Sequence, residues 1–195
     1  MAIESIRELP NFQIQQDGII SKEFLDRGIT TFHDACIYIQ QLPYRRNTNK
    51  SDLSTIFQDG QGTCSTKHAL LKQLATENGI EDLILMMGIF KMQASNTPAI
   101  AKTLAAYGLD LIPEAHMYLK YGENYYDFTR VNSSSQDFLE ELLFEIAMPP
   151  ANIGQQKVAL HQAFLAQWLQ DNPQIKLTTT EIWQIREQCI QDLSS

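Results

Sequence analysis

The run Leu83–Phe90 (LILMMGIF) has Glu81 and Asp82 before it and Lys91 after it. A membrane span needs about 20 such residues, so a run this short reads as a buried strand. A buried strand requires partners, and the chain supplies them downstream. Ala115–Tyr121 (AHMYLKY) alternates in polarity, Gly122 and Glu123 form a turn, and Asn124–Thr129 (NYYDFT) returns, which predicts a hairpin.

Helical spacing dominates elsewhere. Phe32, Ala35, Cys36, Ile39 and Leu42 recur at intervals of three and four, and Pro43 ends that helix. Cys64–Glu77 reads as a second helix with Ala69, Leu70, Leu74 and Ala75 inward. Thr63 or a neighbouring hydroxyl caps its start and Gly79 closes it. Ser133–Gln136 fits a capping box before Phe138, Leu139, Leu142, Leu143 and Ile146, which predicts a helix stopped by Pro149 and Pro150. Helices over Gly154–Gln170 and after Thr178, capped with Glu181, complete the chain. Residues 44–62 read as a loop, and Met92–Pro113 as a long connection with a short helix around Ala99–Tyr107. Helices, a short sheet and more helices make the expected class α+β.

Composition narrows the function. With 44% hydrophobic and 19% charged residues, the 195-residue chain can bury a real core. Its net charge is −8, and basic residues cluster only at Arg45, Arg46 and Lys50. That is too little for a nucleic-acid groove or an anionic membrane, so neither partner is expected. Three widely spaced cysteines, Cys36, Cys64 and Cys189, argue against a disulfide scaffold. Met1–Pro10 lacks the apolar stretch of a signal peptide, and a cytoplasmic location is expected.

Thiol acyl transfer needs an activated cysteine, a histidine to move the proton and an acid to orient that histidine. Cys64 stands in the first turn of its predicted helix after Asp59-Gly60-Gln61-Gly62-Thr63, where unpaired N–H groups favour thiolate. His116 opens one predicted strand, and Asp127 lies eleven residues on, in the next. The hairpin can bring those two onto one face. Cys36 and Cys189, on apolar helix faces, read as small core hydrophobes.

The segments Gly62-Thr63-Cys64-Ser65-Thr66-Lys67-His68-Ala69-Leu70-Leu71, Glu114-Ala115-His116-Met117-Tyr118-Leu119 and Tyr125-Tyr126-Asp127-Phe128-Thr129 resemble the transglutaminase-like superfamily, over roughly residues 42–131. The resemblance implies a papain-like core, in which the helix bearing the nucleophile packs on a small antiparallel sheet. That core with its N-terminal helices would occupy residues 1–135. A C-terminal helical extension over 136–195 would pack on the same domain. The resemblance further implies Cys64 as nucleophile, His116 as base and Asp127 as orienting acid. For the oxyanion donor, the papain-like offset falls on Gln58, Gln61 is nearer, and the transglutaminase pattern points to Tyr44, with the Cys64 N–H as second donor.

The implied activity is hydrolysis of an amide or peptide bond through a Cys64 thioester. The substrate would be a peptide, a protein or a small amide, with no cofactor. Transamidation or acyl transfer, or a non-catalytic binding or scaffolding role on the same fold, are the alternatives. The pairs His33/Cys36 and Cys64/His68 have helical spacing but lack the close cysteine pair of structural zinc sites, so no metal is expected. The Met92–Pro113 connection would serve as a lid or specificity loop.

Overall fold

The apolar run forms the centre of a four-stranded antiparallel sheet in the computed structural model, which describes residues 6–16 and 18–193. The sequence reading of Met1–Pro10 therefore lies partly outside the described residues. The strands are β1 (Ile84–Gln93), β2 (Leu111–Tyr121), β3 (Asn124–Tyr126) and β4 (Leu142–Ala147), in the order β3-β2-β1-β4. β1 pairs with β2 from Ile84↔Lys120 to Gln93↔Leu111, and with β4 from Met86↔Ala147 to Phe90↔Leu142.

Strand alternation builds two cores on opposite faces. Leu85, Met87 and Ile89 of β1 and Ala115, Met117 and Leu119 of β2 enter the first. They meet α1 (Ile19–Leu25), α2 (Phe32–Gln41), α3 (Thr55–Asp59) and α4 (Cys64–Glu77). Met86, Phe90, Met92, Ile112 and Tyr118 face the second core. There they meet α5 (Ala101–Ala106), α6 (Gln136–Leu139), α7 (Gln155–Asp171) and α8 (Thr179–Asp192). The helices after residue 150 thus cover a sheet face that the apolar side chains of β1 and β2 could not leave to water. Among the described residues, no helix is long and apolar enough to cross a membrane.

Three sequence expectations are corrected. The helix expected over residues 133–146 stops at Leu139, and Leu142–Ala147 is strand β4. Leu142, Leu143 and Ile146 fit helical spacing, but Lys91 N–H bonds Glu141 O at 3.0 Å and leads the segment onto the open side of β1. As the sheet edge, β4 leaves Leu143, Phe144 and Ile146 about 40% exposed. Second, β2 begins at Leu111, so the connection shortens to residues 94–110. Ile100 and Leu104 bury it in the second core, which makes it a wall and not a loose flap. Third, β3 ends at Tyr126, so Asp127 follows the strand instead of lying within it.

Gly88 faces His116 across the β1–β2 pair. A Cβ there would come within 2.9 Å of the Tyr118 ring and hydroxyl and 2.7 Å of Leu142. The bare backbone leaves Tyr118 room to stack on His116, with ring centroids 6.2 Å apart, and to donate to Glu145 at 2.6 Å. Gly88→Ala is expected to cost about 1–3 kcal/mol by overpacking. Urea unfolding measures this; an unchanged midpoint would mean that Tyr118 has another place to go.

Candidate active site

β3 covers only Leu119–Tyr121 of β2, so the stretch of β2 around His116 is an open edge. The N-terminus of α4 lies against that edge. Thr63 N–H bonds Thr66 Oγ1 at 3.0 Å across the first turn, and Thr66 Oγ1 donates to Asn47 Oδ1 at 2.7 Å. Lys67, fully buried, ties the helix to the strand loop by donating to the carbonyls of Leu42 and Thr129. Cys64 is the first residue of α4, where the N–H has no intrahelical carbonyl to bond.

Cys64 is 6% exposed, so the sulfur sits at the floor of the site and not on its surface. On one side His116 neighbours the Cys64 thiol, near enough that each group's charge acts on the other. On the other, its Nε2 meets Asp127 Oδ2 at 2.9 Å. Asp127 is fixed in turn by the Thr129 N–H, 2.8 Å from Oδ1. The imidazole is boxed by Phe138, with centroids 4.9 Å apart, and by Tyr118 and Phe90 at 6.2 Å. The structure therefore brings Cys64, His116 and Asp127 into one chain of contacts.

A second histidine supports this chain. His68 accepts from Phe128 N–H at Nε2, 2.7 Å away, so its proton is on Nδ1, which donates to Cys64 O at 2.8 Å. Burial holds it neutral, with a pKa lowered to about 4. Its 3.5 Å approach to Asp127 is thus not an ion pair.

Burial would push the Cys64 thiol up. Lys157, then His116 by charge and hydrogen bond, and the Met117 N–H outweigh that and bring it down to about 6. Burial would likewise lower His116, but Asp127 and the Cys64 charge raise it to about 10. Between those values the two groups form a thiolate–imidazolium pair. Desolvation opposes ionisation of Asp127, yet His116 keeps it ionised far below the usual carboxylate range.

Lys157 escaped the sequence reading. It lies on α7, 9% exposed, and donates to Ser65 Oγ at 2.8 Å. The available signal was its place four and eight residues before His161 and Leu165 on the buried stripe of an amphipathic helix, where a lysine is out of pattern. Glu114 was missed as well. It is 6% exposed and held by a two-pronged contact from Arg186 of α8, with Nε to Oε2 at 2.7 Å.

Of the oxyanion candidates, Gln58 is solvent-exposed on α3 and borders neither hollow beside Cys64. The Gln61 amide donates to Arg46 O at 2.9 Å. Tyr44 borders both hollows, its backbone bridged to Gly62 and its ring covered by the Arg130 guanidinium at 4.4 Å. Burial, and then the neighbouring Cys64 charge, push the Tyr44 phenol up, so it keeps its proton. His33 bonds Leu9 O at 3.0 Å, away from this site. Among the described residues, no group of three or more His, Cys, Asp and Glu side chains stands where it could hold a metal ion. No protein-family model, curated protein sequence or solved structure significantly matches the chain.

Proposed function

We propose that this protein is a cysteine-dependent amide or peptide hydrolase on a transglutaminase-like core with a helical extension. The observation that carries the reading is His116, interposed between a thiol at a helix N-terminus and the buried Asp127 carboxylate.

In the reaction, the Cys64 thiolate attacks the scissile carbonyl carbon. The resulting oxyanion is held by the Cys64 N–H and the Tyr44 hydroxyl. The His116 imidazolium gives its proton to the leaving nitrogen, the C–N bond breaks, and an amine departs, leaving a thioester. Neutral His116 then takes a proton from water as its oxygen attacks the thioester. Collapse releases the acid, and the regenerated thiolate faces an imidazolium again. Asp127 keeps the proton-bearing nitrogens of His116 in register through both halves.

Limiting iodoacetamide at pH 6 tests the thiol. Burial raises the pKa of Cys36 and takes Cys189 up to about 11. Only Cys64 presents thiolate at that pH, and it is expected to label at least about 100-fold faster than either. Its rate should climb through an apparent pKa near 6 and then level off. Peptide mapping of the alkylated protein reads the ratio. Three cysteines reacting at comparable rates would remove the nucleophile and the hydrolase with it.

A further inference from the structure

Cys64 stands between two unequal hollows. The smaller, about 250 Å³, is bordered by His116, Phe138 and the wall formed by residues 96–99. The larger, about 530 Å³, is bordered by Lys157 and not by His116. The leaving nitrogen must reach the His116 proton, so the leaving group occupies the smaller hollow and the acyl group the larger.

The larger hollow has a charge surplus. Four cationic side chains border it, Arg46, Lys50, Lys157 and Arg186, against two acidic ones, Glu114 and Glu187. Both acids are already engaged: Glu114 by Arg186, and Glu187 by Arg46 and Arg186 at 2.6 Å each. Among the described residues, no carboxylate lies within 4.0 Å of the Lys50 or Lys157 ammonium. In a chain of net charge −8 this concentration runs against the average. Lys157 is also close to the chemistry. Ser65 Oγ lies 3.9 Å from the Cys64 sulfur and 2.8 Å from the Lys157 ammonium, which bounds the sulfur-to-ammonium distance at one short side chain. Ser65 engages one of three ammonium donors.

We propose that the acyl group transferred to Cys64 carries its own carboxylate, seated against Lys157 with Lys50 beside it. The substrate is then an amide of a short dicarboxylic acid, of succinyl or glutaryl length. This assignment rests on the hydrolase reading above, and its test distinguishes the two.

Succinic semialdehyde and butyraldehyde have the same number of carbons and differ by the carboxylate. Each adds reversibly to a thiol: the S–C bond forms, the carbonyl π bond breaks, and the thiol proton passes to the oxygen. Neither needs turnover. Protection of Cys64 from iodoacetamide, read by intact mass, gives the concentration at which each aldehyde halves the labelling rate. Succinic semialdehyde is expected to protect at a concentration tenfold or more below that of butyraldehyde, the scale of one charge-assisted hydrogen bond. In Lys157→Met that ratio should fall toward one. Lys50→Met, an exposed change that keeps the fold, should reduce it about threefold, and it decides the matter if the Lys157 variant does not fold. Equal protection by the two aldehydes, or a ratio that survives both substitutions, would overturn the carboxylate site while leaving the thiol enzyme standing. Failure of Cys64 to outpace Cys36 and Cys189 in labelling would overturn the hydrolase reading and this assignment together.

Discussion

Replacing His116 with alanine is expected to separate two rates that the wild-type protein keeps together. Without the imidazolium, only Lys157 and the Met117 N–H oppose burial at Cys64, and the thiol returns toward its ordinary value near 8.5. At pH 6 the thiolate fraction then falls by about two orders of magnitude. A more basic thiolate is also the better nucleophile and restores about one of those orders, so alkylation slows about tenfold. Amide cleavage suffers twice, because the leaving nitrogen also loses its proton donor. That second loss is about 100- to 10,000-fold, so turnover should drop at least about a thousandfold. Asp127→Ala should slow alkylation less, since Asp127 acts through His116. Parallel iodoacetamide and amide-panel assays on the same preparations make the comparison. Equal losses in the two rates would show that His116 tunes the sulfur without handling the substrate's proton.

Arg186→Met is expected to give the largest loss of stability. Glu114 is nearly fully buried, and Arg186 supplies the contact that outweighs its desolvation and keeps its pKa low. Removing one partner of such a pair strands a charge, which costs about 3–5 kcal/mol. For a domain of this size that is a fall in Tm of about 10 °C. The double variant Glu114→Gln/Arg186→Met removes the stranded charge and should recover most of it. Calorimetry on the three proteins closes the cycle. A single variant within about 1 kcal/mol of wild type would mean that Glu114 finds water or a proton instead, and that the pair is not a structural tie.

How much of this could be read in the sequence depended on whether the signal was local. The bounds of the Cys64–Glu77 helix, its Thr63 cap and the Gly122 turn are set by neighbours in the chain, and the structure places them where the spacing did. Cys64, His116 and Asp127 ride on those elements. β4 was misread because Leu142, Leu143 and Ile146 satisfy helical spacing too, and only pairing with β1, some fifty residues back, decides between the two. Lys157 was unreadable for a related reason. It meets Ser65 across 92 residues, and a lysine in a glutamine-rich helix looks like a solvated one. Gln58 came from an offset borrowed from papain-like enzymes, and nothing in its own surroundings aims it at Cys64. Tyr44, the rival candidate, is anchored by its bridge to Gly62 just before the helix.

The dependence of Cys64 on Lys157 also sets a schedule. During synthesis Cys64 emerges early, His116 and Asp127 follow, and the lysine that contributes most to lowering the thiol comes some ninety residues after Cys64. The arginine that neutralises Glu114 beside the site comes later still. A partly made chain therefore lacks the ammonium that contributes most to lowering the Cys64 thiol. The surroundings that lower the thiol are complete only when α7 and α8 have docked on the sheet, so the character of Cys64 is set by the last part of the chain to fold.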